Sequence, residues 1–161
     1  MENTEEKNKK ALEAFDKGDY RTSYGMMKPL AEKGNAKAQF HLGFQYRIGQ
    51  GVNQNFQKAY HRYLLAAEQG YAVAQYKIGL MYYKGQVVTQ DYQNAYHWYS
   101  LAAEQSDKKA QFNLGVLYRK GLGVNKDHRE AFKWFTLAGE QGYAIAQFTL
   151  GGIYEKGEGL T

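Results

Sequence analysis

The sequence predicts an all-α fold, namely an α/α right-handed superhelix (solenoid) of about four to five 36-residue helix-turn-helix repeats. Three observations predict it: sequence columns recur every 36 residues, apolar positions within each repeat are three or four residues apart, and glycine follows the apolar segments. Because one pair of short helices cannot bury its apolar face alone, we expect neighbouring repeats to stack on one another.

The first column, A-Q-aromatic-x-(L/I)-G, predicts the first helix of each repeat. It occupies residues 38–43, 74–79, 110–115 and 146–151. The second column predicts the second helix, and it begins with alanine and an aromatic residue at positions 59–60, 95–96 and 131–132. The glycine that ends the first column lies inside a helix, where glycine costs about 0.5 to 1 kcal/mol relative to alanine. We therefore expect close helix packing at Gly43, Gly79, Gly115 and Gly151.

Glycines also predict where the helices end, because glycine adopts the left-handed conformation without steric cost. The second helices end in a third column, which closes with Gly34, Gly70, Ser106 and Gly142. A G-x-G turn joins the two helices at residues 49–51, 121–123 and 157–159. The second full repeat departs from this pattern, with Val87 in place of the second glycine.

The repeats define a single domain over residues 1–161. Its predicted parts are a degenerate N-terminal capping unit at 5–34, full repeats at 35–70, 71–106 and 107–142, and a C-terminal half-repeat at 143–161. Pro29 lies inside the second helix of the capping unit, where its ring meets the carbonyl of Gly25. Since the backbone at a glycine can adjust to the proline ring, we expect a kinked helix there and not a break.

These columns resemble the Sel-one-like repeat (SLR) family of tetratricopeptide-like α/α repeat proteins, over about residues 19 to 160. The resemblance implies a superhelix that mediates protein–protein contacts, often in bacterial signalling, envelope or host-interaction systems. Some members resemble penicillin-binding, cysteine-rich proteins whose helix pairs are tied by disulfides. This chain contains no cysteine and departs from that subgroup.

Repetition argues against an enzyme. A catalytic carboxylate is needed once, whereas Glu32, Glu68, Glu104 and Glu140 recur in every unit. His61 and His97 share a column, but equivalent residues of stacked repeats lie about 8 to 10 Å apart, while each nitrogen on a zinc ion lies about 2.0 to 2.1 Å from it. The sequence therefore predicts no catalytic residue, no cofactor and no metal ligand.

The predicted binding surface is the concave groove lined by the first helices. Positions that vary between repeats are expected to be free of packing and to bind the partner, whereas the aromatic column is expected to pack. The partner-binding set is Lys37, Phe44, Arg47, Val73, Leu80, Tyr83, Lys84, Lys109, Val116, Arg119 and Lys120. The aromatic column is Phe40, Tyr76, Phe112 and Phe148, and the same side also carries Ile48, Ile145, Gly152, Glu155 and Lys156.

Apolar residues edged by Arg and Lys are typical of protein interfaces, so the expected partner is a protein or a peptide carrying acidic groups. An RNA-binding helical repeat is one alternative, because RNA-reading pentatricopeptide repeats are of similar length and the pI is near 9.2. It is less favoured because the varied positions are largely apolar and no basic run occurs. The second alternative is a peptidoglycan- or cell-wall-associated accessory role.

No apolar stretch approaches the length that spans a bilayer, so membrane insertion is not expected. The localisation is cytoplasmic if Met1 is native, and periplasmic or secreted if a signal peptide has been removed. The sequence sets neither the oligomeric state nor the identity of the partner.

Overall fold

The structure is a computed structural model that describes residues 2–157. Over these residues the chain forms nine α-helices of 13 residues each and no strand. The predicted all-α repeat class is therefore confirmed. The helices are α1 (Thr4–Asp16), α2 (Tyr20–Glu32), α3 (Ala36–Ile48), α4 (Phe56–Glu68), α5 (Ala72–Lys84), α6 (Tyr92–Glu104), α7 (Lys108–Lys120), α8 (His128–Glu140) and α9 (Ala144–Lys156).

Short polar side chains begin most of the helices. Asn35, for example, accepts a hydrogen bond from the amide of Ala38 at the start of α3. Such caps satisfy backbone donors that have no partner within the helix. The other side-chain caps are Asn3, Asp19, Asn55, Asp91, Asp107 and Asp127. Helix α9 has Tyr143 at its N-cap position and no side-chain cap.

The helix ends follow the predicted glycine pattern. Gly49 and Gly121 are left-handed C-caps of α3 and α7, and the glycines after α2, α4 and α8 also have positive φ. Two other residue types adopt the same conformation: Ser106 has φ 66° and Val87 has φ 71°. Of the predicted turn at residues 157–159, only Gly157 belongs to the described residues.

Helix α2 continues through Pro29 from Tyr20 to Glu32, so the prediction that proline does not break the helix is confirmed. Gly25, four residues earlier, lies on an open surface, with nothing within 4 Å of the position that a Cβ atom would occupy. The Pro29 carbonyl accepts a hydrogen bond of 3.2 Å from Lys33, which closes the helix.

The chain divides between Ala74 and Gln75 into two compact units. In the first unit, α1 packs on α2, α2 on α3 and α3 on α4, and the side chains of Met27, Leu42 and Tyr63 are fully buried. In the second unit, α6 packs on α7, α7 on α8 and α8 on α9. Its largest buried side chains include Tyr99 and Phe135.

Three glycines inside first helices lie directly against an aromatic ring of the second helix. A Cβ atom on Gly43 would lie 2.9 Å from Cδ1 of Tyr63. The equivalent distances are 2.7 Å from Gly79 to Tyr99 Cδ1 and 2.7 Å from Gly115 to Phe135 Cε1. Close packing is therefore confirmed at these three positions. At Gly151 close packing is not seen within the described residues, because no atom outside its own helical turn lies within 4 Å of that point.

A buried glutamine on the first helix links it to two second helices. In the second unit, the amide nitrogen of Gln111 donates to the carbonyl of Ala103 at 3.3 Å, and its side-chain oxygen accepts from Gln141 at 2.8 Å. In the first unit, Gln39 makes the same two bonds, to Ala31 and from Gln69. Gln39 and Gln111 are each only 4% exposed. Their amide groups are therefore shielded from water, and the protein hydrogen bonds satisfy them instead.

Candidate protein-binding surface

In the first unit, two residues of the predicted partner-binding set are held by aromatic contacts and two are exposed. The Phe44 ring packs edge-on against Phe15, with 5.8 Å between centroids. The Arg47 guanidinium lies 4.9 Å from the centroid of Phe44, within the range of a cation–π interaction. Lys37 and Val73 are exposed. This unit therefore presents an arginine held by an aromatic ring and an exposed lysine on the same helix.

In the second unit, the apolar members of the set are partly buried. Leu80 and Tyr83 pack against the core around Tyr99, and Val116 packs against the core around Phe135. The Tyr83 ring also lies edge-on to Tyr92, with 5.6 Å between centroids. These three side chains thus contribute to folding as well as to the surface.

The cations of the second unit are more accessible. Lys84, Lys109 and Lys120 are exposed. Arg119 is half-buried, with its guanidinium 5.7 Å from the centroid of Phe135. The stacking orients the arginine and reduces the conformational entropy that it would lose on binding a partner.

A pocket of about 250 Å³ lies between α7 and α9. Arg119 lies on the α7 side and Lys156 on the α9 side, so a cation is present on both helices. The remaining lining residues are Phe148, Thr149, Gly152 and Ile153. Of these, Thr149 and Ile153 were missed at the level of sequence. The four-residue spacing from Thr149 to Ile153 is the signal that could have found them.

The aromatic column of the first helices packs as predicted in three repeats. Phe40 contacts the rings of Tyr63 and Tyr71, each at 5.4 Å between centroids. Tyr76 stacks on Tyr99 at 6.1 Å, and Phe112 contacts Phe135 at 5.3 Å. Phe148 differs, because its side chain is 86% exposed.

Among the titratable groups of the described residues, His41 has a strongly lowered pKa, whereas His61 and His97 are exposed. Residues 2–157 contain no group of three potential metal ligands. Burial lowers the pKa of His41 to about 4, assisted by the charge of Lys37, so this histidine is neutral near pH 7. The sequence carried no signal for this shift, because it depends on how far the folded chain buries the imidazole.

Hydrogen-bonded tyrosine pairs contribute to two further large pKa shifts, those of Tyr24 and Tyr118. The hydroxyl oxygens of Tyr24 and Tyr46 lie 3.1 Å apart, and this hydrogen bond and burial raise the pKa of Tyr24 to about 12. Tyr96 and Tyr118 form the same pair at 2.9 Å in the second unit. Since each pair joins a second helix to the next first helix, its role is to connect repeats. No helix among the described residues is long and apolar enough to cross a membrane.

The repeat geometry agrees with the family comparison. The Sel1 repeat model matches residues 36–71, 72–107, 108–143 and 144–161. The chain belongs to the Sel1 repeat family. Proteins of this family are generally protein-interaction scaffolds, and their fold is typically non-catalytic.

Solved structures of Sel1 repeat proteins have the same fold. The Sel1 repeat protein from Oxalobacter formigenes is 35% identical with a TM-score of 0.87, over 93% of this chain and 62% of that one. A protective antigen present in uropathogenic Escherichia coli strains, which displays an SLR fold, is 43% identical with a TM-score of 0.81, over 84% of this chain and 29% of that one.

A third structure supports the fold alone. Helicobacter pylori cysteine-rich protein B is 24% identical with a TM-score of 0.60, over 89% of this chain and 96% of that one. No curated protein sequence matches the chain. The matches with the Oxalobacter and Escherichia proteins cover less than two thirds of the length of either protein.

Proposed function

We propose that this Sel1 repeat chain is a non-enzymatic scaffold that binds an acidic peptide, or an acidic segment of a partner protein, along its first helices. A setting in bacterial signalling, the cell envelope or host interaction is part of the proposal. The Escherichia relative, a protective antigen of uropathogenic strains, supports the last of these settings. The observation that carries the proposal is the pocket between α7 and α9 with a cation on each side.

The pocket combines the two kinds of group that anchor protein interfaces. Arg119 and Lys156 supply positive charge, while Phe148 and Ile153 supply apolar surface. Arginine and aromatic residues are enriched among the residues that dominate binding energy. A peptide with an aromatic or aliphatic side chain next to a carboxylate would satisfy both features of this pocket.

The other exposed lysines extend the positive surface. Lys120 follows Arg119 at the end of α7, and Lys84 occupies the equivalent position at the end of α5. Exposed charges of one sign increase the association rate of an oppositely charged partner, and salt screens this effect. Binding of the acidic partner should therefore weaken as ionic strength rises.

Charge reversal tests the proposal without altering the core. The variant Lys120→Glu/Lys156→Glu changes two exposed side chains of the proposed surface. Its control, Arg129→Glu/Lys133→Glu, makes the same change in net charge on two exposed residues of α8. Proteins captured by the unmodified chain are identified by mass spectrometry, and the dissociation constant of an acidic segment of a captured protein is measured for both variants.

The expected result is a loss of affinity of about tenfold or more in the first variant and little change in the control. Equal affinities would contradict the proposed surface. Titration with single-stranded RNA at two salt concentrations tests the nucleic-acid alternative, because phosphate binding has a steep salt dependence. Tight RNA binding that the first variant abolishes would replace the protein-scaffold proposal, as would selective binding of cell-wall fragments.

A further inference from the structure

Two neighbouring side chains of the first unit carry buried hydrogen-bond donors that no acceptor satisfies. The hydroxyl of Tyr63 on α4 and the Nε atom of Arg47 on α3 have no hydrogen-bond partner among the described residues. Tyr63 is 0% exposed, so packing has removed its hydroxyl from water. A buried polar group without a partner destabilises a fold, and each such group therefore requires an explanation.

The two donors belong to the same contact between α3 and α4. Gly43 and Arg47 are four residues apart and therefore lie on the same face of α3. The ring of Tyr63 packs against this face, with its Cδ1 atom 2.9 Å from the Cβ position of Gly43. Burial raises the pKa of Tyr63, and the guanidinium of Arg47 opposes this rise, so the two groups are within range of each other.

Packing alone does not account for the Tyr63 hydroxyl. Phe135 occupies the equivalent position in the second unit and is also 0% exposed. Its ring packs on Gly115, and the guanidinium of Arg119 lies 5.7 Å from the ring centroid. The glycine, the ring and the arginine therefore recur at this position without a hydroxyl.

The remaining repeat has the hydroxyl but lacks the arginine. Tyr99 is 0% exposed, and its hydroxyl also has no hydrogen-bond partner. Tyr83 occupies the position equivalent to Arg47, and its ring lies 6.5 Å from that of Tyr99. Among the three equivalent positions, only the one at Tyr63 combines a buried hydroxyl with a cation.

The positive charge of Arg47 is not neutralised by a carboxylate of the described residues. Neither ion pair of residues 2–157 involves Arg47. Its guanidinium is held on the ring of Phe44, 4.9 Å from the centroid, and the residue is half-buried. The planar donors of an arginine match the two oxygens of a carboxylate. An oriented arginine that is still partly in contact with solvent can therefore bind such a group.

We propose that Arg47 and Tyr63 form a site for one carboxylate of the acidic partner. One carboxylate oxygen would accept a hydrogen bond from the Arg47 guanidinium, and the other would accept one from the Tyr63 hydroxyl. Both donor atoms are covered in the unbound chain, so a shift of side chains must accompany binding. This inference deepens the proposed function and rests on it for the identity of the partner.

The single cation favours a carboxylate over a phosphate group. A phosphate monoester carries a charge of about −1.5 to −2 near pH 7, and proteins recognise it with clusters of arginines. A carboxylate carries one negative charge, which the guanidinium of Arg47 balances. The hydroxyl of Tyr63 adds a neutral donor for the second oxygen.

Titration of the full chain with sodium acetate tests the site before any partner is identified. The NMR resonance of the Arg47 Nε–H group should shift saturably, and sodium chloride at equal ionic strength corrects for screening. The Arg119 resonance should shift less, because Phe135 offers no second donor. Tyr63→Phe should weaken acetate binding at Arg47 by about tenfold, since a hydrogen bond to a charged group is lost.

Tyr99→Phe is the matched control, because it removes a buried hydroxyl that lacks an arginine beside it. It should leave acetate binding at Arg47 unchanged. Tyr63→Phe should not lower Tm, because phenylalanine already fills the equivalent position 135. Phe135→Tyr supplies the opposite test, since the added hydroxyl should strengthen acetate binding at Arg119.

The acidic segment of the captured partner extends the test to the proposed function. Tyr63→Phe should weaken its binding, and replacing its aspartate and glutamate residues by amides should abolish this difference. If amidation of its C-terminus abolished the difference instead, the bound group would be the terminal carboxylate. If Tyr63→Phe had no effect while Lys120→Glu/Lys156→Glu weakened binding, the proposed function would stand and this site would be wrong.

Three results of the acetate experiment would overturn the proposal. One is the absence of a saturable shift at Arg47, and another is equal acetate affinity of the unmodified chain and Tyr63→Phe. The third is tighter binding of inorganic phosphate than of acetate, which would assign the site to a phosphate group. If acetate bound as expected but Lys120→Glu/Lys156→Glu left the partner's affinity unchanged, the site would stand and the proposed surface around Lys120 and Lys156 would be wrong.

Discussion

Helices α7 and α9 belong to the same compact unit and carry the same sequence column, yet their surroundings differ. Phe112 of α7 contacts two rings, whereas Phe148 of α9 is 86% exposed. Gly115 lies against the ring of Phe135, whereas Gly151 has open space above it. A repeated motif therefore specifies a helix and its contact positions, whereas the contact itself needs a second helix packed against them.

Equivalent column positions differ in burial between α7 and α9. On α7 the column residues Ala110, Phe112 and Leu114 stabilise the fold, because they pack in the cores around Tyr99 and Phe135. On α9, the column residues Gln147, Phe148 and Gly151 are exposed among the described residues. The same substitution should therefore change the stability of the protein strongly when it is made on α7. At the equivalent position of α9 its effect should be small or opposite.

The largest difference is expected for the aromatic pair. Phe112→Ala removes contacts with Phe135 and Tyr143 and should lower the free energy of unfolding by about 2 to 4 kcal/mol. Phe148→Ala should change it by less than about 0.5 kcal/mol, because an exposed side chain contributes little burial. Urea denaturation followed by circular dichroism measures both. Equal losses would contradict the difference in packing between the two helices.

The glutamine pair should give the next largest effect. Gln111→Ala leaves the carbonyl of Ala103 and the amide of Gln141 without their partner, which should cost about 1 to 3 kcal/mol. Gln147→Ala removes one hydrogen bond at an exposed side chain and should cost about 0.5 to 1 kcal/mol. The same denaturation experiment tests the ranking. A larger loss at Gln147 would show that burial does not set the strength of this link.

The glycine pair should change stability in opposite directions. Gly115→Ala would place a methyl group 2.7 Å from the Phe135 ring, and overpacking should cost about 1 to 3 kcal/mol. Gly151→Ala meets nothing within 4 Å, so the higher helix propensity of alanine should stabilise the protein by about 0.5 to 1 kcal/mol. Thermal unfolding by calorimetry should therefore show a decrease and an increase in Tm. Two decreases would indicate that Gly151 is packed in solution.

The helices and their ends could be predicted from the sequence because they depend on local chemistry. The apolar spacing places α3 and α7, and the glycines at 49 and 121 end them by adopting a left-handed conformation that other residues resist. The same reasoning anticipated close packing at Gly43, Gly79 and Gly115. At Gly151 close packing is not seen within the described residues, because it needs a helix packed against α9.

The binding surface was less predictable, because it depends on the distance between helices. The side of the first helix that carries Arg119 was chosen from the pattern, but the pocket that joins Arg119 to Thr149 and Ile153 depends on how α7 and α9 pack. The lowered pKa of His41 is likewise a property of burial. Each of these features combines residues from separate helices, and periodicity describes one helix at a time.

Val87 offers the last comparison, between the turn after α5 and the turn after α7. Val87 has φ 71°, close to the 69° of Gly123 at the equivalent position, although a β-branched residue disfavours this conformation. The departure from G-x-G was visible in the sequence, and the structure shows that the turn keeps its backbone despite it. Val87→Gly should therefore raise the free energy of unfolding by about 1 kcal/mol, measured as an increase in Tm.

The reverse change, Gly123→Val, is the control for this turn. A Cβ atom at Gly123 would lie 2.2 Å from the carbonyl oxygen of Tyr92, so valine there should destabilise the protein through a backbone clash as well as through strain. If Val87→Gly lowered Tm, the valine side chain would contribute more by packing than its conformation costs. The turn after α5 would then be stabilised by a contact that the glycine turn lacks, and the regularity of the repeats would not extend to their turns.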